Sequence, residues 1–462
     1  MNPTRRLPVI SETATPGAGA IGRDGRRRAP YPADVNGRFV LARRVVYAAL
    51  IAIWVALPWI PIGGHPAVFL DVDRRQFFLF GMTFNAQDVW LLFFALTGVG
   101  FLLVYATALL GRVWCGWACP QTVFLEALFR PIERLVNGPR ATALRRKSLP
   151  TSFDSVWRAV VTHVAYVIAA ALVAHVFLAY FVSLPRVFAM VRSAPRAHPE
   201  AFAWMIAVTA LFYGNFAFFR EQLCVLVCPY GRLQSVLVDD DSLVVGYDTG
   251  RGEPRGKAGA TKGDCVDCKR CVVVCPTGID IREGLQLDCI ACTACIDACD
   301  AIMVKLGRPT GLVRYDSLRG LRGEKRKILR PRLFVYTVLL LVGALVATFA
   351  FGHRTSFEAN VVRLPGPPYT RDEGMLRNAF ELHLVNKSGK PEAFTIEPDS
   401  SANVDFVVPI TNLELAPLAD RRVPFFVTMP QSRFTADRPF LLRVRVGNET
   451  HEARGVFLGA RQ

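Results

Sequence analysis

The chain has 462 residues, of which 52% are hydrophobic, yet 55 Lys and Arg against 38 Asp and Glu give a net charge of +17. A chain both more apolar and more basic than a soluble enzyme keeps the two kinds of residue in separate blocks. Its 12 cysteines all fall between Cys115 and Cys299, which excludes a short disulfide-stapled secreted scaffold, and the composition excludes general disorder.

Residues 1–38 are rich in Gly, Pro, Ala and Arg, with Arg23, Arg26, Arg27 and Arg28 close together. They offer too little apolar surface to offset the entropy of ordering, which predicts a disordered basic tail. A secretory leader would need a short apolar core with a cleavage site; a longer apolar stretch follows instead. Five stretches, at about 41–62, 87–110, 159–183, 201–219 and 333–352, are long enough to cross ~30 Å of hydrocarbon at ~20 residues each. The last four contain no Lys or Arg.

Loop charges set the orientation. The N-terminal region, residues 111–158 and residues 220–332 together carry 36 Lys and Arg, whereas 63–86 and 184–200 carry 5. The positive-inside rule places the first three regions in the cytoplasm and the region after His353 on the opposite face. The cluster Arg319, Arg322, Lys325, Arg326, Lys327, Arg330 and Arg332, just before the last stretch, is the strongest single signal. The +17 therefore reads as anchoring to one membrane face, with no nucleic-acid partner. The chain divides into the tail 1–38, four membrane helices over 39–220, a cytoplasmic insert over 221–332, a fifth helix over 333–352 and an external domain over 353–462.

After residue 354 the pattern changes to short aromatic or β-branched segments, such as Phe380–Val385, Phe406–Ile410 and Phe440–Val446. Turn residues separate them, and Asn386-Lys387-Ser388-Gly389 predicts a hairpin. About seven short strands in some 100 residues suggest an immunoglobulin-like sandwich, here without a cysteine pair.

The chemistry lies in the cysteines. Cys265-x2-Cys268-x2-Cys271-x3-Cys275-Pro276 matches the bacterial ferredoxin run, and Cys289-x2-Cys292-x2-Cys295-x3-Cys299 follows it. In two-cluster ferredoxins the fourth cysteine of each run ligates the partner cluster. The first [4Fe–4S] cluster is then expected on Cys265, Cys268, Cys271 and Cys299, and the second on Cys289, Cys292, Cys295 and Cys275. A pair of four-cysteine zinc sites is the alternative, but zinc motifs rarely repeat this run in tandem. The sequence thus predicts a multi-pass α-helical membrane protein with five spans, an inserted two-cluster ferredoxin-like α+β domain, and a C-terminal all-β immunoglobulin-like sandwich.

The other four cysteines form an internal repeat. Cys115-x3-Cys119-Pro120 closes the second span, and Cys224-x3-Cys228-Pro229 closes the fourth. On a helix, i and i+4 share a face, so each pair could offer two sulfurs to one partner. Four soft ligands would suit Cu(I), zinc or another iron–sulfur site; the bland alternative is small apolar cysteines in membrane helices. Among the histidines only His163 and His175 lie in a span, twelve residues apart, so a bis-histidine haem is not expected. His175 reads best as a hydrogen-bonded structural histidine, and Glu126 as a water-facing residue of an amphipathic helix.

These residues resemble the CcoG/FixG (also RdxA) family of cytochrome c oxidase accessory proteins. The resemblance rests on Trp114–Glu126, Cys224–Leu237, the tandem ferredoxin runs and the β-rich tail, and covers roughly 35–462. It implies an iron–sulfur protein of the bacterial inner membrane that acts in biogenesis of the cbb(3)-type oxidase, as a cupric reductase supplying Cu(I) to its copper centre. It also implies two [4Fe–4S] clusters on the eight ferredoxin-run cysteines, with copper as a further metal. The pairs Cys115/Cys119 and Cys224/Cys228 match the family's membrane motif and are the candidate copper or thiol relay. Expected partners are the lipid bilayer, copper chaperones, cbb(3)-type oxidase assembly factors, an unidentified electron donor and a second copy of the chain. Thiolate ligands favour Cu(I) over Cu(II), so a one-electron donor beside thiols suits this task. The competing reading is a quinol-linked electron-transfer subunit of a periplasmic nitrate- or nitrous-oxide-reductase system, which would use no copper.

Overall fold

The computed structural model describes residues 31–84, 88–256, 263–352, 355–399 and 403–459. Most of the expected basic tail, including Arg23, Arg26, Arg27 and Arg28, lies outside the described residues. Its last part does not behave as a tail. Tyr31 and Ala33 are buried; the Tyr31 hydroxyl donates to the Gly138 carbonyl at 2.8 Å, and the Ala33 N–H to the Val273 carbonyl at 3.0 Å.

Among the described residues, five helices are long and apolar enough to cross a membrane: Arg38–Ala56, Trp90–Leu110, Phe153–Val182, Pro199–Phe219 and Pro331–Gly352. Side chains such as Leu96, Leu172 and Leu345 stay exposed in the protein, as a lipid-facing surface requires. The first helix begins at Arg38 and so carries Arg43 and Arg44, which the loop-charge count assigns to the tail. Arg43 is buried, and a charged group at such a position has partners within the protein.

The chain forms two compact units, one of Met1–Ile60 and Phe94–Leu345, the other of Pro61–Phe93 and Val346–Gln462. In the first, the long helix Phe153–Val182 starts at a capping box in which Ser152 and Ser155 bond each other's backbone N–H. Its Tyr166, Ala169 and Ala170 pack on Leu125, Phe129 and Phe216, with the rings of Phe129 and Phe216 stacked at 4.5 Å. The ferredoxin-like insert is closed by an antiparallel strand pair, Leu243–Tyr247 with Val313–Ser317. Around that closure, Ser242 Oγ and Arg330 Nη2 both donate to the Ala108 carbonyl at 2.7 Å. Arg326 Nη2 reaches the Leu109 carbonyl at 2.6 Å. Two arginines of the basic cluster thus bind the last carbonyls of the second membrane helix, an end that helical hydrogen bonding leaves unsatisfied.

In the second unit, Val68–Asp71, Gln76–Leu79 and Met82–Phe84 form an antiparallel meander. Sequence reading took this stretch only as a loop. The C-terminal domain is a sandwich of two antiparallel sheets. One orders Asp405–Val407, Asp420–Pro430, Met375–Asn386 and Phe357–Arg363, with Thr370–Asp372 also on Met375–Asn386. The other orders Asn412–Leu415, Glu392–Pro398, Arg438–Val446 and Glu449–Phe457. Alternate residues of each long strand point inward, so Phe357, Phe380, Phe394, Phe425, Phe440 and Phe457 fill the space between the sheets. The expected hairpin at Asn386-Lys387-Ser388-Gly389 is not one: the strands it joins belong to different sheets, because each finds its partners far away in sequence.

That crossover carries a buried cation. Lys387 is 8% exposed, and its ammonium lies 3.0 Å from Asp88 and 2.5 Å from Glu358. Removing one member of a buried pair strands the other charges and costs about 3–5 kcal/mol. Lys387→Ala is therefore expected to raise amide hydrogen exchange throughout the sandwich of the detergent-solubilised chain, by about two to three orders of magnitude where exchange needs global opening of the domain.

Candidate iron–sulfur and thiol centre

The two ferredoxin runs fold alike, residue for residue. Asp267 and Ala291, each two residues after the first cysteine of its run, have φ of 50° and 52°. Lys269 and Thr293, each just after the second cysteine, have φ of 53° and 63°. Left-handed non-glycine residues are uncommon and persist where the surroundings over-determine them. Here they turn successive thiols toward one point. Cys265, Cys268, Cys271 and Cys299 line one pocket. Cys275, Cys289, Cys292 and Cys295 line another, which Cys271 also lines.

This exchange of the fourth cysteine is the pairing the spacing predicts. Among the described residues, no three His, Cys, Asp or Glu groups converge tightly enough to hold a single metal ion. The donors ring volumes instead, and a four-thiol ring around a small cavity fits a [4Fe–4S] cluster better than a zinc ion. The Cys292 thiol is pushed up to about 11, with burial the main cause and the nearby Arg43 lowering it. Burial also pushes the Cys289 thiol up to about 12. Ionisation of these groups needs a bound cation.

The two Cys-x3-Cys-Pro segments also share one geometry, though not the helical face that i and i+4 spacing suggests. Cys115 lies in the short helix Val113–Trp117, while Cys119 is extended (φ −62°, ψ 125°) and precedes a new helix opened by Pro120. Cys224 lies in a π-helical turn, Leu223–Val227, while Cys228 is extended (φ −67°, ψ 112°) ahead of the helix opened by Pro229. In both, the N–H of the second cysteine returns to the carbonyl five residues back, Trp114 at 2.9 Å and Leu223 at 2.8 Å. The prolines therefore start helices, at the position where a missing N–H costs nothing.

Burial pushes the Cys119 thiol up, against the lowering effect of the nearby backbone N–H groups of Gln121 and Thr122. The Cys115 thiol donates to Gln234 Oε1 at 3.4 Å. All four thiols come within electrostatic reach of one another: burial pushes Cys224 up to about 12, and Cys119, Cys115 and Cys228 add to the rise. The four thiols are thus neighbours, although among the described residues no three of them converge on one metal position.

The thiol group and the second ferredoxin cage are in direct contact. A Cβ on Gly116 would lie 2.6 Å from the Ile290 carbonyl oxygen and 2.7 Å from that of Ala291, so the two loops touch backbone to backbone. Arg112 donates to the Cys289 carbonyl at 3.1 Å and to the Gly231 carbonyl at 3.1 Å, joining that cage to the second thiol segment. Trp117 Nε1 donates to the Tyr315 hydroxyl at 3.1 Å, which in turn donates to the Ala291 carbonyl at 2.9 Å. Arg43 donates through Nη1 to the Cys292 carbonyl and through Nε to the Tyr47 hydroxyl at 2.9 Å. Tyr47 then donates to the Gly116 carbonyl at 2.5 Å.

Sequence reading missed Arg43, Tyr47 and Arg112. An arginine inside an apolar span was the available signal for the first of them.

Glu126 does not face water. It is ion-paired with Arg130 at 3.2 Å and lies 4.0 Å from Arg43. Burial raises its carboxyl, but Arg130 and Arg43 outweigh that and hold it below the usual range. Arg130 also meets Glu221, and Arg220 bonds Glu133 at 3.2 Å and the Tyr166 hydroxyl at 2.9 Å. His175 is structural as expected: its Nδ1 pairs with the Ala171 carbonyl at 2.7 Å, one turn back in its own helix.

Comparison with known proteins agrees with this organisation. A 4Fe–4S dicluster domain model matches residues 219–318, a 4Fe–4S binding domain model matches 91–139, and the IG-like fold found at the C-terminus of FixG matches 347–460. Protein RdxA of Cereibacter sphaeroides is 33% identical, with 93% of this chain and 97% of RdxA covered. Nitrogen fixation protein FixG of Rhizobium meliloti is 32% identical, with 88% of each chain covered. A crystal structure of a FixG-related protein from Vibrio parahaemolyticus aligns with 23% of this chain and 97% of its own, at 14% identity and a TM-score of 0.21. With five apolar helices, 4Fe–4S-binding domains and the C-terminal IG-like domain all in place, the chain belongs to the RdxA/FixG family of multi-pass iron–sulfur proteins.

Proposed function

We propose that this protein reduces Cu(II) to Cu(I) at the thiol group Cys115, Cys119, Cys224 and Cys228, and so supplies copper for assembly of the cbb(3)-type oxidase. The observation that carries the proposal is the backbone contact of Gly116 with Ile290 and Ala291, which sets the thiol group against the second ferredoxin cage. Cys265, Cys268, Cys271 and Cys299 hold one cluster, and Cys289, Cys292, Cys295 and Cys275 the other. When bound, the clusters supply single electrons, at potentials that in such centres span ~−700 to +450 mV.

The thiols do the rest. They do not converge on one metal position in the structure, so in this proposal copper binding draws them together, and their softness stabilises the Cu(I) formed when Cu(II) takes up one electron. Gln234, which accepts from the Cys115 thiol, orients Cys115 for it. The loop charges favour a cytoplasmic position for both centres and a periplasmic one for the β-sandwich. Copper chaperones and oxidase assembly factors are the proposed partners, with a second copy of the chain also proposed. A second reading has one specific support: the 4Fe–4S binding model at 91–139 spans Cys115 and Cys119. In that reading the four thiols hold a third cluster.

Three measurements test these statements. Purified protein reduced without oxygen and given Cu(II) should bleach its clusters and yield Cu(I) trapped by a chelator; Cys119→Ser with Cys228→Ser should abolish the yield while most iron is retained. Absence of cluster reoxidation by Cu(II) in the unaltered protein would refute the copper reading. Iron analysis should give about eight atoms per chain, and about four in Cys292→Ser or Cys268→Ser; about twelve would establish the third cluster instead. Gly116→Val, which forces the two loops apart, is expected to slow Cu(I) formation about tenfold or more at unchanged iron content, since small misplacements of a reacting group cost that much.

A further inference from the structure

The two ferredoxin cages differ in how a negative charge added to them would be balanced. Cys268 is exposed, so water reaches the first cage. Lys269, Arg270 and Arg282 line that cage; Arg282 is already paired with two carboxylates, Asp280 at 2.5 Å and Asp267 at 2.5 Å, and Arg270 donates to the Asp34 carbonyl at 2.9 Å. The second cage has no exposed cysteine, and Cys292 is buried. Adding an electron there is costly in a low dielectric unless a cation lies close.

Arg43 is such a cation. It is 6% exposed and donates to the carbonyl of Cys292 itself. Its acidic neighbour, Glu126, stands 4.0 Å away and is shared with Arg130. Arg112, on the Cys289 carbonyl, is the second cation at this cage, and Asp288 is the acid beside it.

We propose that Arg43 is a positioning residue that raises the reduction midpoint of the second ferredoxin cage, the one in contact with the thiol group. The proposal rests on the reading that this cage holds a [4Fe–4S] cluster, and it does not depend on copper. Net charge and hydrogen bonding around the cysteines are what set such potentials. Arg43 supplies both through one side chain and is held in place by Tyr47.

The test is a redox titration of the detergent-solubilised full chain, followed by electron paramagnetic resonance, with no copper added. Arg43→Gln should shift one of the two midpoints downward, changing its reduced-to-oxidised ratio at fixed potential at least tenfold, or about 59 mV for one electron. The other midpoint should stay put. Glu126→Gln should move the same midpoint upward. Arg43→Lys should keep most of the unaltered value, and Tyr47→Phe, which loosens Arg43 but leaves its charge, should move it downward by less than Arg43→Gln does.

Opposite shifts from the two charge-removing variants separate an electrostatic role from general damage. Shifts in the same direction, or no shift in either, would overturn the proposal. Should Arg43→Gln lose iron, Glu126→Gln and Arg43→Lys carry the test: an upward shift in the first with the midpoint held in the second supports it, and anything else refutes it. Fewer than two titrating clusters in the unaltered protein would refute the underlying reading, and this proposal with it. A failed copper assay alongside the expected shifts would leave the proposal standing and the copper reading refuted.

Discussion

Residue 116 has room for a hydrogen atom and nothing larger. The thiol segment of the first half of the chain and the cysteine loop of the insert meet there with no side chain between them. That close approach obliges the neighbouring polar groups to be satisfied at once, because carbonyls left bare in such a joint cost free energy. Arg43, Tyr47, Arg112 and Tyr315 each take one of them, and Trp117 donates to the Tyr315 hydroxyl. The result is one polar framework shared by two sets of cysteines far apart in sequence, built where membrane helices end.

What could be read in advance follows the same physics. Cysteine spacing is ligand geometry written directly in the chain, so the grouping of the cysteines that line the two pockets is legible in it. Long apolar stretches were equally plain, since lipid demands uninterrupted helices. Glu126 was misjudged because its partners come from elsewhere: Arg43 precedes the segment by a whole helix, and Glu221, on the far side of Arg130, lies two helices later. The thiol pairs were recognised as a repeat but given the wrong local shape. Spacing of four suggests a continuous helix, whereas proline restricts the residue before it to extended backbone, and Cys119 and Cys228 obey that restriction.

The β-domain shows a different limit. Its strands and apolar alternation were visible, and the aromatic interior explains how the sandwich holds together without a disulfide. Its connectivity was not visible, because turn residues look the same whether the next strand folds back or crosses to the opposite sheet. Lys387, in that crossover, reads as an ordinary exposed turn lysine until Asp88 and Glu358 are brought to it.

The strand pair Leu243–Tyr247 with Val313–Ser317 makes the insert a staple rather than a pendant. The chain enters it beside Ser242, which is tied to the Ala108 carbonyl, and leaves it toward Arg326 and Arg330, which are tied to Leu109 and Ala108. The closing of the insert and the start of the last membrane helix are therefore one mechanical event, fastened to the end of the second. Whatever loosens the cysteine loops between those strands also loosens the point where the final helix begins, so loading of the insert and anchoring of the chain's last passage are coupled through a few backbone oxygens.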